Sequence, residues 1–181
     1  MNELVSVVTP VYNRKDLIPR AVRSVARQTF QHYEHIVVDD GSTDGSEGVV
    51  ARCRNERMRY YRRPHLGRSA ARNFGIQKAN GTFISFLDSD DEYLPEALER
   101  LLRGFIKDSD PNVGLAYGGA VNGEGKAVSL VGHQSGHLFP SLLRRNFILP
   151  SACMVRASVL SICGLFNENL EIVKTGIFSS G

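Results

Sequence analysis

Residues 81–98 read GTFISFLDSDDEYLPEAL. The run at 82–87 is apolar, β-branched and aromatic, which suits a short strand buried on both faces. It stops at Asp88 and gives way to Ser89-Asp90-Asp91-Glu92. Pro95 then opens a helical pattern, with Glu96 in its first turn and Leu98, Leu101, Leu102 and Phe105 at spacings of three and four. A buried strand, a polar loop at its carboxyl end and an amphipathic helix make one half of a strand–helix–strand unit.

The same punctuation recurs on either side. Residues 4–9 form an apolar run ended by Pro10, and 36–38 a second ended by Asp39-Asp40-Gly41. Residues 59–61 form a weaker strand stopped before Pro64, and 113–117 one ended by Gly118-Gly119. Helical patterns fill the gaps. Leu17, Ile18, Ala21, Val22, Val25 and Ala26 share a face, and Pro19 sets the regular part to begin near Ile18. Residues 69–78 turn Ala70, Ala71 and Phe74 inward. The alternation predicts an α/β fold, a Rossmann-like, mostly parallel sheet flanked by helices on both faces. Residues 120–150 are glycine-rich and irregular; loops, a hairpin and a short helix over 138–143 are expected there.

Composition supports one folded domain. The chain has 181 residues, 42% hydrophobic and 23% charged, with apolar surface sufficient to offset ordering. No window approaches 18 apolar residues, and the N-terminus lacks the features of a signal peptide, so a cytoplasmic protein is expected, with membrane contact at most peripheral. Three cysteines without a CxxC pair suit a reducing compartment. The net charge of +3 is too small to imply nucleic acid.

In open α/β sheets ligands bind beyond the carboxyl ends of the strands, so the residues after each strand matter most. After the first, Tyr12 could stack on a planar base, or the loop could be an ordinary turn with Asn13 as cap. After the second, Asp39 and Asp40 adjoin; at least one is free to accept from a base N–H or a ribose hydroxyl. After the fourth, the acids at 88, 90, 91 and 92 repel one another unless a hard divalent cation neutralises them; alternatively they form a solvated acidic cap on the next helix. Arg68 and Arg72, one turn apart at a helix start, could meet one anion or be solvated. Residues 52–72 carry eight arginines interleaved with Tyr60 and Tyr61, a pattern compatible with single-stranded nucleic acid, but an acidic loop at the ligand edge opposes it and no nucleic acid is expected. His133 and His137 lack the HExxH context of a zinc site, and no P-loop, GxGxxG or GxSxG element occurs.

Taken in order, VSVVTPVYNR, ARQTF, HIVVDDGSTDGS, GRSAARNFGI and NGTFISFLDSDDEYLPEAL resemble the family 2 glycosyltransferases, which have the GT-A fold. The resemblance covers residues 4–105 and continues more weakly through PSACMVRASVLSICGLFNENL at 150–170. It implies one domain over 1–181, with a nucleotide-sugar half at 1–120 and a partial acceptor half at 121–181. It also implies an inverting transfer of a sugar from a nucleotide diphosphate donor, usually a UDP-sugar, to a glycan or other hydroxyl acceptor. By position, Thr9, Pro10, Tyr12 and Asp40 would contact base and ribose, with Asp39 and Ser89 nearby, and Arg72 would order the pocket. Asp88 and Asp90 would form a D-x-D element, with Asp91 adjacent, holding Mn2+ or Mg2+ on the diphosphate. The family's general base is usually an Asp beyond the GLFNENL segment, yet no Asp follows Asp110. Glu168 matches another family acid, which leaves Glu171 as the substitute. The resemblance therefore suggests either a C-terminally truncated member or a module that binds nucleotide sugars without transferring them.

Overall fold

The computed structural model describes residues 3–107, 112–129, 136, 138–144 and 147–169. In chain order the elements are β1 (Val5–Val11), α1 (Ile18–Ala26), β2 (Tyr33–Asp39), α2 (Ser46–Arg52), β3 (Met58–Arg62), α3 (Arg68–Lys78), β4 (Phe83–Phe86), α4 (Ala97–Lys107), β5 (Leu115–Tyr117), β6 (Ala120–Val121), β7 (Ala127–Ser129), α5 (Phe139–Arg144), a 3-10 turn (Pro150–Ala152), β8 (Cys153–Arg156) and α6 (Ala157–Cys163). The main sheet has the order β3-β2-β1-β4-β8-β5, and β6 pairs with β7 as a separate hairpin. β1 to β4 are mutually parallel, while β8 runs antiparallel to both β4 and β5. This is the expected mostly parallel sheet with helices on both faces.

Strand periodicity divides the core in two. Val5, Val7, Val11, Val37, Phe83 and Leu87 face α1, α2 and α4, whereas Val8, Ile36, Val38, Ile84 and Phe86 face α3 and α6. Every residue of β1 is buried, which explains its β-branched run. Pro10 is tolerated there because even-numbered β1 residues turn their backbone toward β4, as Val8 does when its carbonyl accepts from Leu87 N–H at 3.0 Å. The β1–β4 pairing ends at Val8 with Phe86, so a missing N–H at residue 10 breaks no ladder bond.

α1 begins at Ile18 as the Pro19 argument requires. α4 begins at Ala97 rather than at Pro95, whose carbonyl accepts from Thr29 N–H at 2.8 Å. Among the strands and α-helices, β8 and α6 were not anticipated as such, whereas α2 follows Asp44 as expected. α2 is short and holds Gly48, and Asp44 caps its entry by accepting from Ser46 N–H at 3.0 Å and Ser46 Oγ at 2.6 Å. β8 enters the sheet between β4 and β5, so residues on both sides of position 120 share one sheet.

Gly75 sets how closely α3 approaches the sheet. A Cβ there would lie 2.3 Å from Val8 Cγ1 and 3.3 Å from Val8 Cγ2. Gly75→Ala gains up to about 1 kcal/mol of helix propensity but forces α3 away from a buried strand, an overpacking cost of about 1–3 kcal/mol. A net loss of about 1–2 kcal/mol is expected from urea denaturation; an unchanged midpoint would show that α3 shifts freely.

Among the described residues, no helix is long and apolar enough to cross a membrane.

Candidate functional site

Beyond the carboxyl ends of β1, β2 and β4 opens a cleft of about 340 Å3, lined by Pro10, Val11, Tyr12, Arg14, Asp40, His65, Arg68, Ala71, Asp88, Ser89 and Asp90. A larger hollow of about 450 Å3 lies between α3 and α6, but no ionisable side chain lines it, so the chemistry belongs to the first. Asn13 ties the β1 and β2 loops together. Its backbone, at a φ of 49°, donates to Ser42 Oγ at 3.0 Å, and its Oδ1 accepts from Thr43 N–H at 2.8 Å.

The adjacent pair Asp39 and Asp40 divides into two roles. Asp39 is fully buried and committed to the fold: Oδ1 accepts from Ser42 N–H at 2.7 Å and Oδ2 from the Tyr60 hydroxyl. Its carboxylate does not line the cleft. Burial and the Asp39 charge push the Tyr60 hydroxyl far above its ordinary range, so it remains a donor. Asp40 does line the cleft. Its carboxylate accepts from Leu66 N–H at 3.1 Å and Gly67 N–H at 2.7 Å, and His65 Nδ1, hydrogen-bonded to the Asp40 carbonyl at 3.1 Å, lies 2.7 Å from Oδ2. Those amides immediately precede α3, which has no side-chain cap of its own, so Asp40 also places a negative charge at that helix's positive end. Tyr12 is exposed and stacks on His65, with ring centroids 3.8 Å apart and planes 16° from parallel.

Thr9, expected in the nucleotide pocket, points its hydroxyl into the core, where it meets His35 Nε2 at 2.9 Å. Arg72 likewise lies behind the cleft, 6% exposed, with Nη2 2.5 Å from Asp88 Oδ1. Pro10 and Ser89 line the cleft. Ser89 is buried and Asp90 is exposed with no partner among the described residues.

The acidic loop is held from the second half of the chain. Ser151 Oγ accepts from Asp88 N–H at 3.0 Å and donates to Asp91 Oδ2 at 2.6 Å. Burial, together with the charges of Asp88 and Asp90, pushes the Asp91 carboxyl upward against its bond from Ser151. Arg68 Nη1 stands 3.9 Å from Asp88 Oδ2 and is half-exposed, free to turn toward an anion in the cleft. Among the described residues, no group of three or more His, Cys, Asp or Glu side chains is gathered to hold a metal ion. The loop's chemistry nonetheless fits a hard divalent cation. Asp90 offers a carboxylate without a partner, and Asp91 bears a repulsion that a cation would relieve. Glu171, His133 and His137 lie outside the described residues.

Three contributors escaped the sequence reading. His65 and Ser151 carry no spacing signal. Asn73 lies within a recognisable stretch, but its role is tertiary: it donates to the Phe166 carbonyl at 2.8 Å and to Glu168 Oε1 at 2.7 Å, and accepts from Phe166 N–H at 2.9 Å. It thereby pins the segment after α6 beside Arg72. Within the arginine-rich stretch 52–72, Arg52, Arg54 and Arg57 are exposed, and the other five arginines are engaged. Arg59 pairs with Glu34, Arg62 with Glu47, Arg63 with the Ala70 carbonyl, and Arg68 and Arg72 with Asp88.

Known proteins similar to this chain in sequence and fold are glycosyltransferases. An uncharacterized glycosyltransferase of Rickettsia felis is 34% identical over 177 residues, 95% of this chain but 28% of that protein. The S. aureus TarS structure (residues 1–349) in complex with UDP superposes with a TM-score of 0.72 at 26% identity, covering 93% of this chain and 52% of that 1–349 chain. The mannosyltransferase PcManGT of Pyrobaculum calidifontis, solved with GDP-Man and Mn2+, shares the fold at a TM-score of 0.70 and 21% identity, over 92% of this chain and 48% of that one. The model of the family described as glycosyl transferase family 2 matches residues 6–172, and the chain belongs to that family.

Proposed function

We propose that this chain transfers a sugar from a nucleotide diphosphate donor, a UDP-sugar in the first instance, to a glycan or other acceptor hydroxyl, with inversion and with a divalent metal. The carrying observation is one cleft in which Tyr12 and Asp40 face Asp88, Ser89 and Asp90 from the ends of neighbouring parallel strands. Tyr12 offers a stacking surface and Asp40 an acceptor for a base N–H, while Pro10 walls the slot. Asp39 acts through the turn that it holds at the Ser42 amide, and Thr9 through its core contact with the His35 ring. Arg68 and the start of α3 face the diphosphate. TarS has been solved with UDP and with UDP-GlcNAc, which favours a UDP donor here.

Asp88 and Asp90, with Asp91 beside them, would hold Mn2+ or Mg2+; the ion supplies charge that offsets the departing nucleotide diphosphate. Arg72 and Ser151 keep the loop in shape, Arg72 through the Asp88 carboxylate and Ser151 through its backbone. The acceptor hydroxyl must lose a proton as it attacks, and Glu171 is the acid we assign as general base. We take the chain to act in the cytoplasm, with membrane contact at most peripheral. Because it spans 28% of the Rickettsia felis protein and 31% of TarS, the acceptor and the activity of the whole protein belong to this proposal.

Calorimetry with UDP tests the reading. Mn2+ is expected to tighten UDP binding at least tenfold, and Asp90→Ala to remove that gain while leaving the melting temperature within about 1–2 °C. Equal affinity with and without metal, unaffected by Asp90→Ala, would remove the metal role.

A further inference from the structure

The base slot of this cleft is already filled by a side chain of the protein itself. The His65 ring lies on the face of Tyr12 at a centroid distance of 3.8 Å and nearly parallel, which is stacking distance for any planar heterocycle. Its Nδ1 faces two acceptors, Asp40 Oδ2 at 2.7 Å and the Asp40 carbonyl at 3.1 Å. Nδ1 must therefore carry the hydrogen. A ring nitrogen bonded to the Asp40 carbonyl and beside its carboxylate, with the ring face on a tyrosine, occupies the positions that a base with a ring N–H, such as uracil, would take.

The seat is shaped for this loop. Gly41, at a φ of +82°, admits no side chain: a Cβ would lie 2.9 Å from His65 N and 3.3 Å from His65 Cβ. On the upstream side the loop is anchored by Arg63, which donates its N–H to the Asp39 carbonyl at 2.9 Å; on the downstream side it runs into α3. The His65 side chain is about half-exposed, 52%, so the ring can swing into solvent without moving that backbone. When it leaves, Asp40 keeps the Leu66 and Gly67 amides and recovers one acceptor position.

We propose that His65 is a built-in occupant of the nucleobase position, and that nucleotide binding displaces its ring from Tyr12 and Asp40. This rests on reading the cleft as a nucleotide site. The competition sharpens discrimination: a ligand without a ring N–H and a stacking face cannot repay the contacts it breaks, so a bare diphosphate gains nothing from displacing His65.

The test uses the full chain with Mn2+ and two probes, UDP and inorganic pyrophosphate, measured by calorimetry on wild type, His65→Ala and His65→Asn. Removing the competitor frees about one exposed hydrogen bond and one stack, so His65→Ala should bind UDP about five- to tenfold more tightly. His65→Asn, which can donate but not stack, should fall between, and pyrophosphate affinity should stay the same in all three. In wild type, the His65 ring proton signal, shifted upfield by Tyr12 and assigned by its absence in the variants, should move downfield as UDP saturates. UDP binding that weakens or stays unchanged in His65→Ala, or a ring signal that UDP leaves in place, overturns the proposal while leaving the nucleotide site standing. Failure of both probes to bind any of the three proteins overturns the nucleotide reading and this inference together.

Discussion

Arg72→Met should lower stability by about 3 kcal/mol in urea denaturation, the lower end of what breaking a buried ion pair costs. The Arg72 side chain is 8% exposed and Asp88 20%, so removing the guanidinium leaves a largely buried carboxylate without its nearest cation. Arg68, at 3.9 Å and half-exposed, compensates only in part, which places the loss at the lower end. The guanidinium also packs over the Phe166 ring at 5.6 Å, and methionine retains some of that apolar contact. A double mutant separates the terms. Asp88→Asn removes the stranded charge, so Arg72→Met with Asp88→Asn should lose less than the sum of the two single changes by at least about 1 kcal/mol. Simple additivity would mean that the pair does not couple.

Stability should also fall steeply with acid because of His35. The ring is wholly buried, and burial pushes its pKa down from 6.5 to about 3. The unfolded chain takes up a proton near 6.5, whereas the folded chain refuses it until about pH 3. The histidine's contribution is therefore complete above pH 6.5 and is lost as pH falls from 6.5 toward 3. That amounts to about 2 kcal/mol by pH 5 and about 3 kcal/mol by pH 4, a large share of a typical domain's stability. His35→Gln can keep a hydrogen bond with Thr9 but cannot titrate. The difference in unfolding free energy between wild type and His35→Gln, followed from pH 8 to pH 4, should shrink or reverse in this window. A constant difference would show that His35 is not held neutral.

Much of this protein was legible because its signals are local. A strand buried on both faces needs a short apolar run, and a parallel sheet needs a helix between strands; both needs are written into neighbouring residues such as 4–9 and 17–26. The position of the cleft follows from the same logic, since loops at the carboxyl ends of parallel strands converge, and Tyr12, Asp40, Ser89 and Asp90 do meet there. β8 carried no such signal. It is an antiparallel strand completed by partners β4 and β5 that are distant in sequence, and its four residues look like many apolar segments.

The finer assignments depended on faces and on long-range contacts. Asp39 and Asp40 are chemically identical neighbours, but successive strand residues point to opposite sides of the sheet. One step of that alternation sends Asp39 to Tyr60 and the core and Asp40 to the cleft. The same alternation takes the Thr9 hydroxyl to His35. Arg72, expected to order the pocket, lies behind the cleft and holds Asp88, because α3 packs over the sheet with that side buried. Ser151, Asn73 and His65 acquire roles only through partners 63, 93 and 25 residues away. The sequence by itself determined the fold class, the family and the acidic edge of the sheet, because periodicity and turn chemistry act over a few residues. Only the tertiary structure decided which carboxylate lines the cleft, what steadies the acidic loop and which ring sits on Tyr12, because those outcomes depend on contacts between residues that the chain itself keeps apart.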